Sequence, residues 1–157
     1  MAPRIATTTT VDRDELLEVL RARHHGVLVT TRRDGSPQLS PVTFGVDAAG
    51  RVVVSTYPDR AKAVNLRRDP RASFLALGDD FDDAWVQVDG RAEVIDVPDS
   101  VEPLVEYYRA AAGTEHPDWD EYREAMLRQG KSVVRITVER WGPVATGGFP
   151  ARLVEGA

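Results

Sequence analysis

The chain has 157 residues, 42% hydrophobic and 29% charged, with a formal net charge of −5. That length suits one globular domain with its own core, and the acidic balance excludes a general nucleic-acid surface, which needs clustered basic charge. There is no cysteine, which excludes disulfides, thiolate nucleophiles and cysteine metal sites.

Residues 1–11 read as a flexible N-terminal arm and 12–157 as a single domain. The first residues hold no hydrophobic signal core, and no later apolar run is long enough for a bilayer, which points to a cytoplasmic location. Asp12 and Glu15 match a capping box, so a helix is expected over about 12–23, with Leu16, Leu17, Val19 and Leu20 available to bury. His24-His25-Gly26 should end it, with Gly26 as a left-handed cap. The two histidines lack a third ligand nearby, so no metal site is expected.

Val27–Thr31 reads as a strand by its β-branched content. Asp34-Gly35 is a hairpin turn, and 37–45 is the returning strand. Pro41 cannot donate a ladder hydrogen bond, so that strand must be an edge or carry a bulge. A turn at Asp47–Gly50 leads to a third strand, 51–56.

The segment from Ser55 to Ala72 organises the rest. It turns at Pro58-Asp59, continues as a short helix and stops at Pro70. Five of its eighteen residues are Arg or Lys, in an acidic chain. Arg60 and Lys62 fall at the start of the helix, where the dipole is positive and a cation costs a few tenths to about 1 kcal/mol. A bound anion would resolve that conflict; the plain alternative is that both side chains extend into solvent. Arg67, Arg68 and Arg71 read as partners of the helix C-terminal dipole and as solvated charges.

A fourth strand is expected over 71–77, then an acidic loop, then a long strand over 84–95. On it Val86, Val88, Ala92 and Val94 share one face, and Trp85, Gln87, Asp89, Arg91 and Glu93 the other. Gly90 marks a bulge. A helical pair follows, with Val101, Leu104, Val105, Tyr108 and Ala112 as one stripe and Trp119, Tyr122 and Met126 as the next. The aromatic stripes read as core contacts and His116 as a loop or capping residue. A final strand covers about 131–140. Six antiparallel strands with few, mostly late helices suggest a small barrel that removes its own sheet edges.

The chain has no HExxH, no phosphate-binding loop of the G-x-x-x-x-G-K-[ST] type and no G-x-G-x-x-G after a strand. No nucleophile–base–orienter set stands out, and no catalytic residue is assigned. What remains is a β-barrel with one cationic turn, preceded by the hydroxyls of Ser55 and Thr56. A phosphate held there would anchor a larger cofactor that carries the chemistry.

Asp34–Phe44, Arg60–Ala72 and Gly90–Glu93, with helices behind, resemble the FMN-binding split-barrel family of pyridoxamine 5′-phosphate oxidase relatives. The Arg60–Ala72 block is the specific part. Together with Trp119, Asp120, Tyr122 and Arg123 it is similar to the actinobacterial subgroup that uses the deazaflavin coenzyme F420. The resemblance implies a mainly β fold with flanking helices: a six-stranded antiparallel split β-barrel. It also implies a homodimer with cofactor sites at the subunit interface. Carried over residue by residue, Arg60 and Lys62 would meet the cofactor phosphate, with Ser55 and Thr56 on the strand leading to it. Gln38, Ser40, Pro41 and Val42 would lie along the ring, although Pro41 removes a backbone donor. Trp85 and Gln87 would reach the ring or substrate from the other subunit. The implied activity is hydride transfer between reduced F420 and a small electron-poor organic acceptor. The alternatives are an FMN-dependent pyridoxamine-phosphate-oxidase-like enzyme and a non-catalytic F420 carrier. No nucleic-acid or membrane partner is implied.

Overall fold

In the computed structural model, which describes residues 3–154, the chain runs β1 (Thr7–Thr9), α1 (Arg13–Arg21), β2 (His25–Thr31), β3 (Pro37–Thr43), β4 (Gly45–Val46), β5 (Val52–Thr56), α2 (Ala61–Arg68), β6 (Arg71–Leu77), β7 (Val86–Ile95), α3 (Val101–Ala112), α4 (Trp119–Gln129), β8 (Ser132–Trp141) and β9 (Val144–Thr146). Seven strands form one antiparallel sheet in the order β3-β2-β6-β7-β8-β5-β4.

That order forces the shape. β3 and β4 occupy opposite edges of the sheet, yet only Phe44 separates them in the chain. A flat sheet of that width would span about 29 Å at the usual strand spacing, and one residue advances the chain by only about 3.8 Å. The sheet therefore curls until its edges approach, giving a mainly antiparallel half-barrel with four helices. Phe44 is fully buried at the junction, its ring edge-on to Phe74 with centroids 4.8 Å apart. Its N–H donates to the His24 carbonyl at 2.8 Å. The expected strand over 37–45 breaks at this residue because the chain leaves one edge and joins the other. The sheet consequently has seven strands where six were expected.

Alternation fills the interior. Leu28, Val52, Val54, Phe74, Val86, Val88, Val134 and Ile136 point inward, and Leu16, Leu17 and Leu20 of α1 pack against them. On the opposite face Val53 and Val133 pack against Val101, Leu104 and Met126, so α3 and α4 cover that side. In the two expected stripes, Val101, Leu104, Val105 and Met126 are buried, Tyr108, Trp119 and Tyr122 half-buried, and Ala112 exposed.

Most local signals hold. The capping box of α1 is complete: the Glu15 N–H donates to Asp12 Oδ1 at 2.9 Å, and the Asp12 N–H to Glu15 Oε1 at 3.2 Å. Gly35 has φ +89°, and Asp34 accepts from both the N–H and the hydroxyl of Ser36. Pro41 lies on edge strand β3. The β7–β8 register shifts between Asp89 and Gly90, where a Cβ would sit 1.9 Å from the Thr137 carbonyl oxygen.

Two local expectations fail for non-local reasons. Gly26 caps no helix: α1 ends at Ala22, and Gly26 is a strand residue. It is glycine because a Cβ there would meet the Phe74 ring at 2.2 Å. The arm expected over 1–11 is also not loose throughout. Thr7–Thr9 pairs with β9, and the Thr7 and Thr146 hydroxyls are bonded at 2.8 Å; residues 1–2 lie outside the described residues. Among the described residues no helix is long and apolar enough to cross a membrane.

Candidate functional site: the amino end of the second helix

β5 ends at Thr56, and Tyr57-Pro58-Asp59 turns the chain into α2. The N-cap is Arg60, in extended conformation, with no side-chain cap hydrogen bond, and no acidic residue lies in the first turn. The first N–H groups of a helix have no intrahelical acceptor, and here no side chain supplies one. Most helices place Ser, Thr, Asp or Asn at this position. This one places cations at positions 60 and 62. Burial, and then the charge of Arg60, hold the Lys62 ammonium below its usual pKa. A negative charge at this turn would reverse the second effect and satisfy the helix N–H groups together.

A third cation joins them. The Lys131 ammonium lies 5.5 Å from the Tyr57 ring centroid and the Arg60 guanidinium 5.9 Å from it. The Tyr57 hydroxyl donates to Gln129 Oε1 at 3.3 Å. Tyr57, Pro58, Asp59, Arg60, Gln129 and Gly130 line an open cleft of about 740 Å³. Gly130, at φ +63°, ends α4 and turns the chain toward Lys131. The chain contains only two lysines beside eighteen arginines, and both stand at this turn. Lys131 escaped the sequence reading; its only signal was that rarity.

The expected ring-binding strand is β3, at the edge of the barrel. Gln38, Ser40 and Val42 are half-buried on its inner side, while Pro41 is exposed on the other. Ser40 Oγ is buried without a hydrogen-bond partner among the described residues. Gln38 is tied to α2 through two buried residues, Thr30 and Asn65. Across the gap in the barrel, Thr56 is buried and Ser55 half-buried. Tyr107 reaches that gap: its hydroxyl donates to the Thr43 carbonyl at 3.3 Å. Burial pushes the Tyr107 phenol above its ordinary pKa, and the Ser55 contact partly offsets this.

Within one chain, then, the end of β5, the first turn of α2 and the inner side of β3 are neighbours. Trp85 and Gln87 belong to a different surface. Trp85 exchanges backbone hydrogen bonds with Ala145 at 2.9 Å. Gln87 is exposed and donates to Asp89 Oδ1 at 3.1 Å.

The three arginines expected to be solvated are exposed, and each is also engaged. Arg67 holds both Asp96 carboxylate oxygens, at 2.6 and 2.8 Å, and the Ser132 hydroxyl donates to the same carboxylate. These contacts keep the Asp96 pKa below the usual range and pin α2 to the ends of β7 and β8. Arg68 donates to the Thr31 carbonyl at 2.6 Å and to Asn65 Oδ1 at 3.1 Å. Arg71 holds the Asp69 carboxyl down to about 2. His116 has the expected structural role, its Nδ1 accepting the Asp118 N–H at 2.9 Å.

A family model described as pyridoxamine 5′-phosphate oxidase matches residues 12–145. An F420H2-dependent biliverdin reductase from Mycobacterium tuberculosis is 34% identical over 116 residues, 73% of this chain and 82% of that protein. The crystal structure of a conserved hypothetical protein from Mycobacterium tuberculosis superposes with a TM-score of 0.73 at 27% identity, over 90% of this chain and 89% of that one. An F420 reductase structure aligns with a TM-score of 0.59 at 21% identity, over 80% of this chain and 94% of that one, which attests the fold.

Proposed function

The chain belongs to the pyridoxamine 5′-phosphate oxidase family, and from that premise we propose that it is an F420-dependent reductase acting on a small electron-poor organic acceptor. The observation that carries this reading is the uncapped start of α2 with Arg60 and Lys62 on it and Lys131 beside it. Three cations and a set of unpaired N–H groups suit a phosphate, and Ser40 Oγ, buried and unpartnered, suits a polar ring edge. When bound, reduced F420 supplies the hydride. Arg60, Lys62 and Lys131 hold the anionic part, so binding energy remote from the reacting atoms orients the ring. The inner side of β3 receives the ring and excludes water from one face of it. F420 is ranked ahead of FMN by the name of the 34% identical relative.

Titration of the purified protein with F420 and with FMN, followed by absorbance and fluorescence, tests this. F420 is expected to bind more tightly. A yellow, stoichiometric FMN complex isolated from a host without F420 would reverse the ranking. Turnover of reduced F420 with quinones, enones and tetrapyrroles then separates a reductase from a carrier.

We propose further that two chains pair through the outer side of β3, β2, β6 and β7. Leu39 is 58% exposed there and Trp85 36%, beside exposed Pro41 and the half-buried Val27, Val29 and Leu75. The register aligns Pro41, Val27, Leu75 and Gln87 in one row across the four strands. Light scattering should give a dimer at micromolar concentration, and the interface should bury well over about 1,000 Å² in total. A monomer that still binds cofactor would count against it.

A further inference from the structure

Four residues link α2 to the edge strand by consecutive hydrogen bonds. Arg68 Nη2 donates to Asn65 Oδ1 at 3.1 Å, Asn65 Nδ2 donates to Thr30 Oγ1 at 3.0 Å, and Thr30 Oγ1 donates to Gln38 Oε1 at 3.0 Å. The direction of this chain is not arbitrary. A guanidinium has donors and no acceptor, so it requires the oxygen of Asn65 to face it. The Asn65 amide must then turn its N–H₂ to Thr30. A hydroxyl has one proton, and with a donor already aimed at its oxygen, Thr30 can give that proton to Gln38. The far end agrees independently: Gln38 Nε2 donates to the Leu39 carbonyl at 3.0 Å, and a carbonyl only accepts. Thr30 is 1% exposed and Asn65 7%, so water does not compete for these groups.

We propose that Arg68, Asn65 and Thr30 are positioning residues that set the polarity of the Gln38 side chain, so that it offers its second N–H, and not its oxygen, to a ligand lying along β3. The ligand feature this recognises is an acceptor, a ring carbonyl oxygen or an imine nitrogen. Ser40, two residues further on the same side of β3, holds the other unsatisfied group of that surface. The inference rests on the reading that a cofactor ring lies against β3. It adds how a helix nearby in space dictates which hydrogen-bonding sense the strand presents.

Asn65→Asp provides the test, because it reverses the chain while Arg68 and Thr30 both keep a hydrogen-bond partner at position 65. The carboxylate still accepts from Arg68 but cannot donate, so Thr30 turns its proton toward the carboxylate. Gln38 must then swing Nε2 to Thr30, setting its oxygen against the Leu39 carbonyl, or release Thr30 altogether. Thermal unfolding should stay close to that of the natural chain, while F420 affinity falls about tenfold, the loss of roughly one hydrogen bond. Thr30→Ser keeps the hydroxyl and should stay within about twofold. Without ligand, the Gln38 side-chain amide resonances, identified by their loss in Gln38→Glu, should move in Asn65→Asp and hold in Thr30→Ser. Unmoved amide resonances in Asn65→Asp would overturn the proposal, as would unchanged F420 affinity. If the natural chain bound neither F420 nor FMN, the proposed function would fall, and the ligand-free spectra would still decide whether the chain of bonds has this polarity.

Discussion

Replacing Lys62 by alanine should weaken F420 binding by about tenfold to a hundredfold, the equivalent of a charge-assisted contact of about 1.5–3 kcal/mol. Lys62 lies in the first turn of α2, where helix N–H groups and the Arg60 cation converge. Burial and its like-charged neighbour already hold its pKa down, so removal relieves a conflict in the ligand-free protein. The fold should therefore be as stable as before or slightly more so, because a cation has left the positive end of a helix dipole. Arg68 would make a poor control, since it bonds to Thr31 and Asn65 and its loss would disturb β3 as well. Arg33, exposed at the turn between β2 and β3, is the better one. Arg33→Ala should change affinity little, because an exposed cation away from the site is largely screened at about 0.15 M salt. Titration of the two variants side by side checks this. Equal losses would indicate diffuse attraction, and no loss for Lys62→Ala would move the anion site away from α2.

Phe44→Ala should cost about 3–5 kcal/mol of folding stability, the usual range for removing a buried aromatic side chain. The expected effect is at the upper end of single-residue changes because of where Phe44 stands. It is fully buried, packs edge-on against Phe74 and is the one residue between the two edges of the sheet. Phe44→Leu keeps most of the volume and should cost under about 1.5 kcal/mol. Denaturant unfolding monitored by circular dichroism gives both numbers. A loss below about 1 kcal/mol for the alanine variant would mean the seam is held by other contacts. Thr43, whose carbonyl accepts from Tyr107, flanks this seam, so the alanine variant should also bind cofactor less well.

The features legible beforehand share one property: their physical cause lies within a few residues. The capping box at Asp12 and Glu15, the turns at Gly35 and Gly50, and the cations at the start of α2 are of this kind. So is the inward face of β7, where alternation names buried Val86, Val88 and Ala92 and half-buried Val94. The bulge at Gly90 was also visible, although its reason, the approach of the Thr137 carbonyl, was not.

Where local chemistry and distant packing disagreed, packing won. A glycine after two histidines is a sound helix stop on propensity alone, but Gly26 is a strand residue against the Phe74 ring. Threonines near a chain start resemble an arm, but Thr7–Thr9 pairs with Val144–Thr146. The arginines at the end of α2 are exposed as expected, and packing adds distant partners for two of them, Asp96 for Arg67 and the Thr31 carbonyl for Arg68.

The amino-acid sequence by itself determined the helices and the longer strands, the inward faces of those strands and the cationic start of α2, because period, turn chemistry and helix polarity act over short stretches of chain. Only the tertiary structure decided that β3 and β4 meet through Phe44, that Lys131 arrives beside Tyr57, and that Arg68 dictates the sense of Gln38. Those outcomes depend on which strands pair and in which register, and contacts between residues far apart in the chain exist only once the sheet has curled.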